Sequence, residues 1–183
     1  EIEVPSNVVY LESNAFLGCE KLEIVKFIQN SSLKKIGSYA FAKTSINDIS
    51  IPSQVVLIDD SAFYECSKLQ NVCIPKDSEL KYIGIEAFVN TSISHFFLPK
   101  KVTQIDDYSF SSCQNLKTFE CDEDSELKII GRDAFTESSI KKLTLPSGVS
   151  EFGEDWCSIF QKLSEIKIIP TKEKNIIYKN EYI

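Results

Sequence analysis

Apolar residues recur along the chain in short groups of the form L-x-x-I-x-I, in which the last two apolar positions alternate with polar ones. The groups are Leu22, Val25 and Phe27; Ile46, Ile49 and Ile51; Leu69, Val72 and Ile74; Ile93, Phe96 and Leu98; Leu116, Phe119 and Cys121; Ile140, Leu143 and Leu145; and Leu163, Ile166 and Ile168. Such alternation predicts short strands with one buried face. Prolines after several groups limit each strand to a few residues.

A second pattern, an Ala-Phe or Ser-Phe pair, recurs between the predicted strands. Its phenylalanines are Phe16, Phe41, Phe63, Phe88, Phe110 and Phe135, and their spacing alternates between 25 and 22 residues. The sum, 47, is the period of the sequence, because residues 31–41, 78–88 and 125–135 align without a gap. Several independent motifs share this period, which indicates a chain built from 47-residue double units.

The two patterns together predict a solenoid. Ile36, Ala40 and Phe41 have helical spacing, so each strand is expected to be followed by a short helical or 3-10 return. One such unit cannot bury its apolar face alone, whereas stacked units share a continuous core. We expect an α/β solenoid: a right-handed leucine-rich-repeat coil with one parallel sheet of short strands.

The predicted domain organisation is a single leucine-rich-repeat domain over residues 1–183, with about seven to eight repeats. Residues 170–183 lose the pattern, and we interpret them as a degenerate repeat, a cap or a truncated end. In the last repeat Cys157 stands where a phenylalanine is expected and Phe160 where a cysteine is expected. This exchange conserves the local core volume.

The motif in residues 50–75, SIPSQVVLIDDSAFYECSKLQNVCIP, resembles the BspA-like leucine-rich repeats, which occur in surface proteins of some bacteria and protists. The resemblance extends over about residues 1–169. It implies an interaction or adhesion module at the cell surface. It implies no shared catalytic residues, and the ligands of the family vary.

Composition and charge narrow the classes of partner. The chain of 183 residues is 43% hydrophobic and 26% charged, which is typical of a folded, soluble protein, and its net charge is −7. This charge argues against binding to nucleic acid or to anionic membrane surfaces. No apolar run is long enough to span a bilayer and no signal peptide is visible, so we expect membrane contact only through parts outside this chain. The start within a repeat suggests a piece of a longer protein.

The six cysteines are predicted to be structural. Three of them, Cys19, Cys66 and Cys113, share the 47-residue register. They lie two strands apart, about 10 Å, whereas the Cα atoms of a disulfide lie within about 7 Å. We expect these three to form a buried column, with Cys121 and Cys157 at core positions and Cys73 on the sheet surface. Free thiols suit a reducing compartment, or tolerate an oxidising one when buried.

The sequence contains no constellation that indicates catalysis. The register places Asn71 beside the only histidine, His95, and places Cys73 two residues further along the neighbouring strand, too far for proton transfer. A lone histidine without a C-x-x-C motif removes most zinc sites. We therefore predict no enzyme activity, catalytic residue, metal, cofactor or small-molecule substrate.

The candidate partner-binding surface is the strand face, formed by the strand side chains that point away from the core. Its candidate residues are Asp48, Asn71, Cys73, His95, Phe97, Thr118, Glu120 and Lys142. Phe97 is an aromatic residue among polar neighbours, as a binding anchor would be. The alternative is that Phe97 is a tolerated surface hydrophobe or packs on a neighbour.

Two functional hypotheses follow for the whole chain. The first is a cell-surface or extracellular adhesion module that binds a host or matrix protein through the strand face. The second is an intracellular, cytoplasmic leucine-rich-repeat scaffold that uses the same face, suggested by the cysteines and the lack of a visible signal peptide. Asn30 and Asn90 begin N-glycosylation motifs, which matter only for a secreted chain, and both also suit turns.

Overall fold

The chain winds into a β-solenoid of about seven turns, whose strands run parallel from one turn to the next. The fold is that of a computed structural model, which describes residues 1–158 and 163–170. Phe160 and residues 171–183 lie outside the described residues. The predicted exchange of Cys157 with Phe160 and the predicted cap at 170–183 therefore remain predictions.

The L-x-x-I-x-I groups form the predicted strands. They are β1 (Ile2–Val4), β3 (Val25–Phe27), β5 (Asp48–Ser50), β7 (Asn71–Cys73), β9 (His95–Leu98), β11 (Thr118–Cys121), β13 (Lys142–Pro146) and β15 (Glu165–Ile169). Ladder pairing divides them into β1-β3, β5-β7 and β9-β11-β13-β15, and an isolated bridge between Ile24 and Asp48 joins the first two groups. Alternate side chains of the inner strands are buried, for example Ile49, Phe96 and Phe119, because strand side chains alternate between faces.

The solenoid has a second parallel sheet, which the sequence analysis did not predict. Its seven strands in the described residues are β2 (Tyr10–Leu11), β4 (Lys35–Ile36), β6 (Leu57–Ile58), β8 (Tyr82–Ile83), β10 (Gln104–Ile105), β12 (Ile129–Ile130) and β14 (Glu151–Phe152). Each has only two residues. The expectation of one parallel sheet was therefore wrong, since the V-x-x-I and L-x-x-I segments pair with one another across successive turns.

The predicted helical or 3-10 returns are also wrong, since residues 1–158 and 163–170 contain no helix. The segments around the repeated phenylalanines are turns with two left-handed residues each, such as Tyr39 (φ 56°) and Lys43 (φ 59°). A left-handed residue every fourth position prevents a right-handed helix from continuing. The fold is consequently a β-solenoid and not an α/β one.

These phenylalanine turns form a third hydrogen-bonded ladder between successive turns. The Phe41 N–H donates to the Ala62 carbonyl and the Phe63 N–H donates to the Ala87 carbonyl, both at 2.8 Å. Tyr39 donates in the same way to Asp60 at 3.0 Å. The ladder satisfies backbone groups that a helix would otherwise pair internally.

A stack of phenylalanine rings fills the interior. Phe16, Phe41, Phe63, Phe88, Phe110 and Phe135 lie with neighbouring ring centroids 5.2–5.7 Å apart and interplanar angles of 2–18°. Phe96 and Phe119 from the strands contact this stack edge-on, for example at 4.7 Å between Phe96 and Phe110. Two large rings thus enter the core in each 47-residue period of the sequence.

The recurring glycines lie where the second sheet leaves no space for a side chain. A Cβ atom at Gly84 would lie 2.7 Å from the backbone nitrogen of Asp60, and one at Gly131 would lie 2.4 Å from that of Asp107. Neither glycine has a positive φ. The predicted backbone requirement is therefore one of close approach between neighbouring turns.

The buried column of cysteines is only partly as predicted. Cys66 and Cys113 are buried, and each Sγ donates to a carbonyl of the preceding phenylalanine turn, to Phe41 at 3.0 Å and to Phe88 at 3.1 Å. Cys19 is exposed, because the first turn packs against only one neighbour. The prediction for Cys19 was therefore wrong.

Candidate functional site

The strand face presents two columns of side chains that follow the register expected from the sequence. One column pairs Asp48 with Asn71 and continues from His95 through Thr118 to Lys142. The other pairs Ser50 with Cys73, and Phe97 with Glu120. All eight candidate residues thus lie on one surface. Phe97 and Thr118 are half-buried, and the other six are exposed.

Polar side chains of the first column interact in cross-strand pairs. The Asn71 amide donates to the Asp48 carboxylate. Lys26, which lies in the other column, pairs with Glu1. Further along, the Lys142 Nζ atom lies 3.4 Å from a Glu165 carboxylate oxygen. These exposed pairs contribute little to stability, and they leave the charges accessible to a partner.

The centre of the strand face combines an aromatic ring with a polar pair. The Nε2 atom of His95 lies 3.9 Å from a carboxylate oxygen of Glu120, which is the register neighbour of Phe97. Ladder pairing is interrupted between β7 and β9, and a backbone hydrogen bond of 3.4 Å from Ser94 to Gln70 spans the junction. We call His95, Phe97 and Glu120 the central patch.

The structure adds an apolar residue to the strand face that the sequence analysis did not select. Ile24 is 44% exposed and bridges to Asp48 in the first column. Its place in the register follows from the sequence, because Ile24 stands in the first column beside Asp48. The strand face therefore carries apolar side chains at two separate places.

The cysteine thiols have the properties of structural residues. Burial raises the pKa of Cys113 to about 11 and that of Cys121 to about 12, and it also raises the pKa of Cys66. A raised thiol pKa disfavours the thiolate, which is the nucleophilic form. No disulfide joins any of the six cysteines, all of which lie in the described residues.

Two further features, a metal-binding cluster and a membrane-spanning helix, are absent from the described residues. No group of three or more histidine, cysteine, aspartate or glutamate side chains there is placed to hold a metal ion. Residues 1–158 and 163–170 also contain no helix that is long and apolar enough to cross a membrane.

A repeating core that carries a non-repeating exposed strand face defines a leucine-rich-repeat solenoid. The sequence matches the family described as BspA type leucine rich repeat region, in six copies over residues 1–117 and 81–182. The chain belongs to this family. Leucine-rich repeats of this type are generally non-catalytic and generally mediate protein binding.

Solved structures share the fold at low sequence identity. A leucine-rich repeat protein from Bacteroides ovatus ATCC 8483 is 21% identical, with a TM-score of 0.72, and the match covers 93% of this chain and 56% of that one. A leucine rich cell surface protein from Faecalibacterium prausnitzii A2-165 is 22% identical, with a TM-score of 0.55 and coverages of 92% and 62%.

The pneumococcal vaccine antigen PcpA is a third such structure, at 21% identity and a TM-score of 0.54, with coverages of 91% and 61%. This chain therefore spans between 56% and 62% of the lengths of these three proteins. No curated protein sequence matches the chain. The structural relatives establish the fold, and two of them are described as a cell-surface protein and a vaccine antigen.

Proposed function

We propose that this chain is a non-enzymatic recognition module that binds a protein ligand through its strand face, at the cell surface. The observation that carries the proposal is the division of the sequence between a repeating core and a non-repeating exposed surface. Core positions such as Phe41 and Phe88 recur every 47 residues, whereas the exposed positions of the strands do not. A partner can bind one particular part of the solenoid only through exposed residues that differ from turn to turn.

The central patch is the proposed anchor of this interaction. Half-buried Phe97 offers an aromatic surface, and aromatic residues are enriched among the residues that dominate binding energy. His95 and Glu120 beside it offer hydrogen-bond donors and acceptors. A host or matrix protein with an apolar side chain ringed by polar groups would complement this arrangement.

The direct test substitutes the central patch and compares affinities for a verified protein ligand. We expect Phe97→Ala and His95→Ala each to weaken binding while the melting temperature stays close to that of the parent. Ile85→Ala is the matched control. Ile85 is an exposed hydrophobe, at 40%, but it lies just after β8 of the second sheet and not on the strand face. Unchanged affinity in both patch variants, measured by calorimetry, would exclude the central patch.

The cell surface is the proposed location, supported by the family and by the descriptions of two structural relatives. The alternative is an intracellular scaffold, which is favoured by six cysteines without a disulfide. Biotinylation of intact cells with a membrane-impermeant reagent separates the two. Labelling of the full-length protein is expected, and labelling only after lysis would favour the scaffold.

A further inference from the structure

A groove lies beside the strand face, where the strands of three successive turns end. It has a volume of about 660 Å³ and is lined by residues within 27–34, 50–54 and 75–77. Segments 27–34 and 75–77 belong to the longer, 25-residue repeats and form its walls. Segment 50–54 belongs to a 22-residue repeat and forms its floor. The alternating repeat length therefore produces the groove.

The lining is rich in groups that both donate and accept hydrogen bonds. Of the fourteen lining residues, seven are serine, asparagine or glutamine, five are apolar, and Lys34 and Asp77 carry opposite charges. The Lys34 Nζ atom donates to the Gln54 side chain at 2.6 Å. Asp77 forms no salt bridge within the described residues. The net charge of the lining is thus zero.

The equivalent position one 47-residue unit later is bridged by lysines. Lys101 lies 2.6 Å from Glu79 on the preceding wall, and Lys100 lies 3.8 Å from Asp124 on the following wall. In the first groove these two lysines are replaced by Ser53 and Gln54. Gln54 reaches Lys34 on the preceding wall, but Ser53 carries no charge toward Asp77 on the following wall, so within the described residues the Asp77 carboxylate has no cation partner.

We propose that this groove binds a neutral oligosaccharide, independently of any protein ligand on the strand face. Sugar hydroxyls donate and accept hydrogen bonds at once, as do the serine, asparagine and glutamine side chains of the lining. The apolar C–H faces of a sugar ring would pack on the half-buried Phe27 ring and on Pro52 and Pro75. The volume lies within the range of small-ligand pockets.

A charged ligand fits the lining less well. A sulfated or sialylated glycan would meet one lysine, already hydrogen-bonded to Gln54, and the unneutralised carboxylate of Asp77. An extended peptide would need a ladder of backbone partners along one strand, and the lining residues come from three separate turns. The sugar is bound and not converted.

The experiment screens the full chain, made in a bacterial host, on an array of neutral, sialylated and sulfated oligosaccharides. Bacterial expression leaves Asn30, which lines the groove, without an attached glycan. The double variant Ser53→Lys with Gln54→Lys places two lysine side chains in the groove, one of them at the position opposite Asp77 and the other at the position that now accepts from Lys34. We expect the parent to bind neutral glycans, with maltotriose, cellotriose and chitotriose titrated afterwards, and the double variant to lose about tenfold or more in affinity.

The matched control is Lys100→Ser with Lys101→Gln, which removes the bridges of the second unit and leaves the first groove intact. It and Phe97→Ala are expected to retain glycan binding. If the double variant melts early, Gln54→Ala, an exposed single change, serves in its place. Absence of binding to neutral glycans, binding only to charged glycans or peptides, or unchanged affinity in the groove variants would overturn the proposal.

Discussion

At the scale of single residues, burial and exposure divide the side chains into those that build the solenoid and those available to partners. Phe88 is fully buried and stacks on Phe63 at 5.2 Å and on Phe110 at 5.2 Å. Phe97, nine residues later, is half-buried, and its ring lies on the strand face, the outer side of β9. The same residue type therefore stabilises the core at one position and is accessible to a partner at the other.

Replacement of Phe88 by alanine is expected to destabilise the fold by about 3–5 kcal/mol, because it removes a buried ring from the middle of the stack. Denaturant unfolding followed by tryptophan fluorescence and circular dichroism measures the change. Ile85→Ala, an exposed substitution three residues away, is expected to change stability by less than about 0.5 kcal/mol. Equal stabilities of the two variants would contradict the described core.

The buried thiol of Cys113 is expected to make stability fall in alkaline solution. Burial raises its pKa from the ordinary 9.0 to about 11, so between these values the unfolded chain loses the proton while the folded chain keeps it. The free energy of unfolding therefore decreases as pH rises from 9 to 11, by up to about 1.4 kcal/mol per pH unit from this group. Below pH 9 the group has no such effect.

The Cys113→Ala variant isolates this contribution from the other groups that titrate above pH 9. We expect its overall stability to be lower, because the thiol fills the corner beneath Phe88, but its decline with pH to be shallower than that of the parent. Parallel curves for the two proteins between pH 8 and 11 would show that Cys113 titrates normally in the folded state.

At the scale of elements, backbone hydrogen bonds in three ladders join successive turns of the solenoid. The long strands form one, the two-residue strands form the second, and the phenylalanine turns form the third. Close approach at the second ladder requires glycine at one position of the longer repeats, as at Gly84. Short elements suffice because each turn is held to its neighbours by more than one ladder, so that a break in one ladder, as between β7 and β9, leaves the others intact.

Gly84→Ala tests this close approach. Its Cβ would lie 2.5–2.8 Å from atoms of Asp59 and Asp60, including backbone, so neighbouring turns must separate. We expect a loss of stability of about 1–3 kcal/mol, as for other overpacked sites. Gly18→Ala is the comparison: Gly18 has open space around it but a positive φ of 70°, so its cost of about 1 kcal/mol comes from the backbone alone. A Gly84 variant as stable as the parent would contradict the second ladder.

The sequence predicted the strands better than the returns, for physical reasons. Alternation within a strand has a period of two, and the 47-residue repeat supplied several aligned copies of it. Ile36, Ala40 and Phe41 have a spacing that suits a helix, but Tyr39 and Lys43 adopt left-handed conformations that ordinary residues rarely take. Tyrosine and lysine are not residue types that indicate a left-handed conformation, so the helical prediction was wrong.

The register also predicted which residues share the strand face, since identical turns place identical positions in one column. It did not predict the cross-strand pairs, such as His95 with Glu120, because these depend on side-chain rotamers. It did not predict the groove either. The sequence does contain a difference at this place, because Ser53 and Gln54 stand where the next 47-residue unit has Lys100 and Lys101. Only the salt bridges of those two lysines show that the difference lies at a groove.

At the scale of the whole molecule, the solenoid combines a repeating interior with an exposed strand face that does not repeat. The interior is a continuous column of repeated apolar side chains, and the strand face is a long surface whose sequence varies from turn to turn. Because contacts run mainly between neighbouring turns, residues on the strand face can change without disturbing the core. This organisation is typical of proteins that recognise other proteins.

Site-specific photo-crosslinking tests the central claim most directly. A benzoylphenylalanine is introduced at position 97 in one protein and at position 85 in another, and both are irradiated with a preparation of candidate ligand proteins. Both positions carry exposed or half-exposed hydrophobic residues in the parent, so folding should survive either change. We expect a discrete crosslinked partner from position 97 and none from position 85. Crosslinks that form equally from both positions, or from position 85 alone, would contradict recognition through the strand face.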